Sequence, residues 1–421
     1  MSAKPPLGSS CADDYDPDSL APDSALKLIL SELTPLKSRE FVPVRSALGR
    51  VLARGIVSTI DVPAHTNAAM DGYALKADDL PRADTATLKV LGTAWAGKPF
   101  QGDVAAGHCV RIFTGALMPP GADTVVMQEQ VEVRGDVIRI SPGQKPGQNV
   151  RPAGEDIARG EQVLNAGKRL TPADLGLIAS LGMGEVAVTR RPRVAFFSTG
   201  DELCSIGEPL FPGAIYDSNR YTLHGGLTRL GVELIDMGVV RDVREALEQA
   251  FAEAAASADV LITTGGASVG EADYITETLR SAGRVALWKV AMKPGRPLAF
   301  GRVQGAYFFG LPGNPVSVMA TFYQIVQPAL RYLMGETEIT SLLIKARCMS
   351  PLKKKLGRVE YQRGVLERDD RGELVVHSTG SQGSAILRSM STANCFIVLP
   401  TDGGRVEPGT LVDVQPFFGM V

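Results

Sequence analysis

Between Arg193 and Met334, short runs of apolar and β-branched residues alternate with amphipathic helical stretches. This alternation constrains the fold more than any other feature, because repeated strand–helix–strand units close into a mostly parallel sheet with helices on both faces. The pattern predicts strands over 194–197, 233–237, 259–264, 285–290, 298–302 and 306–310. Between them it predicts helices over 219–230, 242–256 (capped by Asp242) and 273–282, with a last one starting at Asn314. In such a sheet ligands bind outside the carboxyl ends of the strands. The loops expected there are Ser198-Thr199-Gly200-Asp201-Glu202, the stretch from Thr264 to Asp273, and Leu311-Pro312-Gly313-Asn314-Pro315.

The stretch from Leu261 to Tyr274 is the centre of that set. An apolar run ends in Gly265 and Gly266, small residues lead to Gly270, and Glu271 and Asp273 follow as a helical pattern resumes. A strand that empties through glycines into a helix turns backbone N–H groups toward an anion. Carboxylates beside an anion site make sense when a cation sits between them, so the stretch points to phosphate with magnesium. Lys289, and then Lys293-Pro294-Gly295-Arg296-Pro297, bring cations on a proline-stiffened loop.

The rest of the chain reads differently. Residues 1–22 are rich in Ser, Pro and Asp and are expected to be a disordered tail. Ala25, Leu26, Leu28, Ile29 and Leu33 mark one face of a helix, and a second helix is expected over 46–52. Short β-like runs over 87–91, 109–113, 124–127 and 131–140, cut by Gly/Pro turns, predict a small all-β domain. Thr171-Pro172-Ala173-Asp174 is a helix start with Thr171 as N-cap, and that helix would complete a stalk begun near Ser24. Short strands return after about residue 340, a second β domain.

At 421 residues the chain exceeds one ordinary core. A net charge of −2 supplies no global attraction for nucleic acid or an acidic membrane. Five scattered cysteines without a CxxC pair argue for a reducing compartment and against a zinc module. No apolar run reaches membrane-span length, and a cytoplasmic protein is expected. No Walker A motif, GxGxxG after the first strand, HExxH or nucleophile elbow occurs. What the chain offers is acids, lysines, hydroxyls and backbone amides, suited to a magnesium-held phosphoanhydride and a bound oxyanion.

Taken together, Met70-Asp71-Gly72-Tyr73, Thr114-Gly115-Ala116, Gly154-Glu155-Asp156-Ile157, Ser198-Thr199-Gly200-Asp201-Glu202-Leu203, Tyr216-Asp217-Ser218-Asn219, Gly265-Gly266 to Tyr274, Lys293-Pro294-Gly295 and Leu311-Pro312-Gly313-Asn314-Pro315 occur in a specific order. In that order the chain resembles the MoeA/gephyrin E-domain family over nearly its whole length after the tail. The resemblance implies a multidomain α/β plus β protein with a central doubly wound, MogA/MoaB-like α/β domain over 192–338. Around it would stand an inserted β domain over 58–160, a helical stalk from 23–57 and 161–191, and a β-barrel-like C-terminal domain over 339–421.

The resemblance implies molybdopterin molybdenumtransferase activity, in which magnesium and molybdate act on adenylylated molybdopterin to give molybdenum cofactor and AMP. It implies a homodimer whose site is shared between subunits, a separate molybdopterin adenylyltransferase partner, and molybdoenzymes or cofactor carriers as acceptors. Asp71, Thr114 and Asp156 match the family's polar positions around the inserted domain. Glu202, Asp242, Asp273, Lys289 and Lys293 match those of the α/β domain, with Glu202 and Asp273 assigned to magnesium. Lys289, Lys293 and Arg296 would hold molybdate or phosphate, and Gly265, Gly266 and Ser268 would bring backbone to the pterin phosphate. Ser198, Thr199, Gly200, Ser218, Asn219, Pro312, Gly313, Asn314 and Ser384 complete the expected binding set. Ala68 stands where the family has a serine before Ala-Met-Asp-Gly-Tyr, so a hydroxyl there is not required or is replaced. A tungstate-inserting enzyme or a non-catalytic scaffold of the same fold is the alternative.

Overall fold

The computed structural model describes residues 19–265 and 283–417. The chain divides into two compact units, one of residues 1–40, 49–51 and 188–421 and the other of residues 41–48 and 52–187.

The first unit is built on a six-stranded sheet. Its spatial order is Glu233–Val240, Arg193–Thr199, Val260–Thr264, Ala306–Leu311, Pro297–Val303, Gly283–Lys289. The pairings from Glu233–Val240 to Ala306–Leu311 are parallel, as the alternation predicts. Pro297–Val303 runs against the others and pairs antiparallel with both its neighbours, because a tight turn at Gln304-Gly305 joins it to 306–311 without a crossover helix. Gly283–Lys289 at the edge runs with the parallel strands again. Alternate residues of the first strand face opposite sides. Val194 and Phe196 join helix Ser218–Leu230 in one core, while Ala195 and Phe197 join helix Arg244–Ser257 in another. Each phenylalanine buried in this way contributes about 1.5–3 kcal/mol.

The chain leaves Pro297–Leu311 through the helix Pro315–Thr321, a π turn over Phe322–Val326, and the helix Gln327–Leu333. Pro328 accounts for the π turn, since a proline can neither donate the helical bond nor accommodate the carbonyl four residues back. The helix Pro22–Glu32 packs on this segment through Ala25, Ile29 and Leu33. Leu20, within the stretch expected as a tail, bonds backbone to backbone with Lys289 and Ala291.

Residues 344–416 close a β-barrel by way of strands Val359–Arg368, Leu374–Ser378, Ile344–Cys348, Leu411–Pro416 and Cys395–Leu399, the last pairing back to the first. Met292–Lys293 adds to its edge. Tyr361, Met390 and Phe396 of this module enter the same core as the α/β sheet.

The second unit carries its own six-stranded sheet, ordered Thr124–Met127, Gly72–Leu75, His108–Ile112, Ala86–Ala94, Val137–Ile140, Val131–Arg134. The run predicted over 131–140 is two strands joined at Gly135. Thr171 is the N-cap of helix Pro172–Ser180, as predicted, and the structure adds a reciprocal capping box with Asp174. The helix expected over 46–52 does not form. Only Val44–Ser46 makes a 3-10 turn, and Leu52 gives its N–H to Lys168 O at 2.9 Å instead of to a helical carbonyl.

Candidate functional site

The register of the parallel strands brings the expected loops together. Ser198 lies opposite Thr264, and Thr264 opposite Leu311, so the three loops leave the same edge of the sheet. The chain goes from Arg193–Thr199 to Glu233–Val240 on one side and later to Val260–Thr264 on the other, which makes the gap between Ser198 and Thr264 the topological switch point. There Thr264 Oγ1 donates to Ser198 Oγ at 2.9 Å, a bond buried in the sheet. At Gly265 (φ +90°) the backbone comes so close that a β-carbon would stand 2.3 Å from Thr199 O.

Several buried oxygens at this edge have no hydrogen-bond partner among the described residues: Thr199 Oγ1, Thr263 Oγ1, Asp217 Oδ2 and Asn219 Oδ1. Asp217 caps helix Ser218–Leu230 by accepting from Arg220 N at 3.1 Å with its other oxygen. Asn219 donates Nδ2 to Gly313 O at 2.7 Å and so ties this helix start to the Pro312-Gly313-Asn314 loop. Buried acceptors left open at a crevice are costly unless a ligand or water meets them.

Glu202 is exposed at the rim, and a β-carbon at Gly200 would stand 2.7 Å from its Oε2, so the carboxylate folds back over the loop. The backbone of Leu203–Cys204 pairs in parallel with Ile215–Tyr216, so Glu202 precedes one short strand and Asp217 follows the other, at opposite ends of the pair. Asp242 does not cap the following helix: Val243 occupies the N-cap position, without a side-chain bond, and Asp242 precedes it. Gly266, Ser268 and Asp273 lie outside the described residues.

Lys293 Nζ lies 3.9 Å from the carboxylate of Glu360, itself buried in the barrel. Lys289 and Arg296 flank the same turn, where Val290 N donates to Arg296 O at 2.7 Å. Ser384 meets the site by its backbone: its carbonyl accepts from Val316 N at 3.0 Å, at the first turn of helix Pro315–Thr321.

Sequence reasoning missed Arg363, the largest fully buried side chain, at 1% exposure. It donates Nε to Ser389 Oγ at 3.0 Å and Nη2 to Gly383 O at 3.0 Å, and its backbone N–H goes to Gln382 Oε1 at 2.7 Å. It thereby shapes the 381–384 loop that carries Ser384. Burial pulls its pKa down to about 10. An arginine at an inward position of a strand, next to a glycine, was the available signal.

In the second unit Asp71 and Thr114 come together. Asp71 Oδ1 accepts the Thr114 N–H at 2.8 Å and the Thr114 hydroxyl at 2.7 Å. These two bonds, with the charge of Arg111, hold its carboxyl below the usual range despite some desolvation. Asp156 is exposed, and its N–H donates to Val62 O at 2.9 Å.

The chain matches three family models in succession. They are the MoeA N-terminal region (domain I and II) over residues 20–182, a probable molybdopterin binding domain over 195–332, and the MoeA C-terminal region (domain IV) over 345–417. Fold and crevice thus define a protein of the molybdopterin-binding α/β class with a β module on either side in sequence. The chain is 44% identical to a molybdopterin molybdenumtransferase of Haemophilus influenzae, covering 94% of this chain and 98% of that one. It is 37% identical to one of Nostoc sp., covering 90% and 89%. The crystal structure of the molybdopterin biosynthesis moeA protein from Pyrococcus horikoshii aligns with a TM-score of 0.84 at 31% identity, covering 95% and 100%. The chain belongs to the MoeA family of molybdopterin molybdenumtransferases.

Proposed function

We propose that this chain is a transferase of molybdenum cofactor biosynthesis that inserts molybdate into molybdopterin presented as its adenylyl derivative, releasing AMP. The observation that carries this reading is the gathering of hydroxyls, unpartnered buried oxygens and the Gly265 approach at the sheet's switch point, in a chain 44% identical to a named molybdenumtransferase.

Ser198, Thr199 and the backbone at Gly265 would receive the phosphate, with Ser218 and Asn219 at the adjacent helix start. Lys289, Lys293 and Arg296 would hold the molybdate dianion, and the Pro312-Gly313-Asn314 and Ser384 loops would bound it. Asp71, Thr114 and Asp156 are proposed to act on the same substrate, and Asp242 to serve from the loop ahead of its helix.

Magnesium suits an all-oxygen donor set, and the described edge offers the exposed Glu202 carboxylate. Among the described residues no group of three metal-ligating side chains occurs. Glu202 would therefore hold the ion together with substrate oxygens and water, as magnesium sites commonly do. Bound there, magnesium would neutralise charge on the phosphoanhydride.

Incubation with adenylylated molybdopterin, molybdate and magnesium is expected to release AMP, and Glu202→Gln is expected to raise the magnesium concentration needed. Binding without AMP release would instead favour a scaffold, and release with tungstate alone a tungsten enzyme. A homodimer sharing its site is also proposed. Mixing an Asp71→Asn copy with a Glu202→Gln copy should then restore part of the activity, and no recovery in the mixture would contradict it. The cytoplasm, an adenylyltransferase supplier and a molybdoenzyme or carrier acceptor complete the proposal. No described helix is long and apolar enough to cross a membrane.

A further inference from the structure

Beside the Asp71–Thr114 pair stands a stack of side chains that the family motifs do not include. In the parallel pairing of Ala86–Ala94 with His108–Ile112, Thr93 lies opposite Arg111 and Ala94 opposite Ile112. The register continued by one residue sets Trp95 beside Phe113. Their rings are stacked, with centroids 4.1 Å apart and planes within 8°. The Arg111 guanidinium carbon lies 5.1 Å from the Phe113 centroid.

The stack is held from behind. Trp95 and Lys98 exchange backbone bonds of 3.0 and 2.9 Å around the Ala96-Gly97 turn, and Phe113 N–H donates to Ala94 O at 3.2 Å. The same turn borders the Thr114-Gly115 loop: a β-carbon at Gly115 would stand 4.0 Å from Ala96 Cβ. Trp95 nevertheless keeps 50% of its surface open. Covering a strand end needs only an aliphatic side chain. A rigid indole, backed by a coplanar ring and left half open, is instead the surface on which planar heterocycles stack.

Polar groups for orienting such a ring are adjacent. Both bonds from Thr114 fall on Asp71 Oδ1, which leaves Oδ2 to accept from a ring or amino N–H. Arg111 supplies positive charge for an attached phosphate.

We propose that Trp95, backed by Phe113, is the stacking platform for a fused, planar nitrogen heterocycle that bears a phosphate, with Asp71 and Arg111 orienting it. This rests on the proposed reaction only for the identity of the ligand: the ring is either the adenine or the pterin of the adenylylated substrate.

The chain has two tryptophans, so in a Trp288→Phe background Trp95 is the sole indole emitter. AMP, 6-hydroxymethylpterin and ribose 5-phosphate are titrated separately while its emission is followed. Saturable quenching by AMP assigns the adenine, quenching by the pterin assigns the pterin, and ribose 5-phosphate is expected to do nothing. No quenching by either heterocycle, or equal effects from ribose 5-phosphate, overturns the proposal. In turnover, Trp95→Ala should raise KM for the adenylylated substrate about tenfold with little change in kcat, and Trp95→Phe should largely restore it. A loss confined to melting temperature, with KM unchanged, would make the stack structural only. Wild-type AMP release without any Trp95 response sinks the platform alone, whereas a Trp95 response without AMP release sinks the reaction and leaves the platform standing.

Discussion

Asp71 receives two hydrogen bonds from one residue, Thr114, through its backbone N–H and its hydroxyl, both on the same carboxylate oxygen. The arrangement stabilises the charged form, so the folded pKa lies below the ordinary 3.8. A group depressed in this way stays ionised as pH falls to its folded pKa. The Asp71 carboxylate is therefore expected to remain charged to below the ordinary carboxylate pKa and not to set an acid limb of activity above it. Thr114→Val keeps the backbone bond and removes the hydroxyl, so the Asp71 pKa should move part of the way back up in a carboxyl-carbon NMR titration. Asp71→Asn should lower turnover about tenfold or more. An unchanged titration in Thr114→Val would mean that the hydroxyl bond is not made in solution.

Gly265→Ala tests the switch point. The added β-carbon would lie 2.3 Å from Thr199 O at a backbone angle that L-residues rarely adopt. Such a conformation costs about 1–3 kcal/mol before the clash is counted. Chemical denaturation should show at least that loss, together with loss of ligand binding. A variant as stable as the parent would show that the close approach is absent.

Arg363→Met separates stability from function. The arginine is buried on neutral partners, its charge is disfavoured, and its pKa falls to about 10. The unfolded chain therefore binds more protons between that value and the ordinary 12.5, and stability contributed at this position rises with pH across that window. Replacing such a charge with an apolar side chain of similar size is often neutral or stabilising. Melting temperature should change little, while turnover should fall because Gly383 and Ser384 lose their anchor. A large drop in both would place Arg363 in the fold rather than in the arrangement of the loop.

Thr171→Ala probes the second unit. Thr171 caps helix Pro172–Ser180 reciprocally with Asp174, which also bonds Lys168 Nζ at 2.6 Å. Loss of such a cap costs about 0.5–2 kcal/mol. Desolvation works against the Asp174 charge, but the bonds from Lys168 and Thr171 outweigh it and its pKa is lowered. Its stabilisation is complete above the ordinary carboxylate pKa and is lost as pH falls through the depressed one. Urea midpoints at pH 7 and pH 3 should therefore show a smaller penalty for Thr171→Ala in acid.

The parts of this protein legible in its sequence are those set by short-range physics. Strand–helix alternation after Arg193 implied the parallel sheet, the Thr171 helix start fell where cap chemistry placed it, and the last helix starts after Asn314 with Pro315 in its first turn. The Ser198, Gly265 and Pro312 loops were assigned to one edge because a parallel sheet leaves them no other place. Tertiary structure alone decided what depends on pairing between distant residues. The short turn at Gln304-Gly305 leaves no room for a crossover, but only the pairing shows that 297–303 lies between 306–311 and 283–289. Nothing local to Arg363 says that the carbonyls of residues 381–383 will be its partners. The loop from Leu261 to Tyr274 singled out the site from sequence. Its Gly265 acquires a physical reason only from Thr199, which lies far off along the chain and close to it across the sheet. Backbone propensity and capping act within a few residues, whereas register, burial and close approach exist only once the sheet has closed.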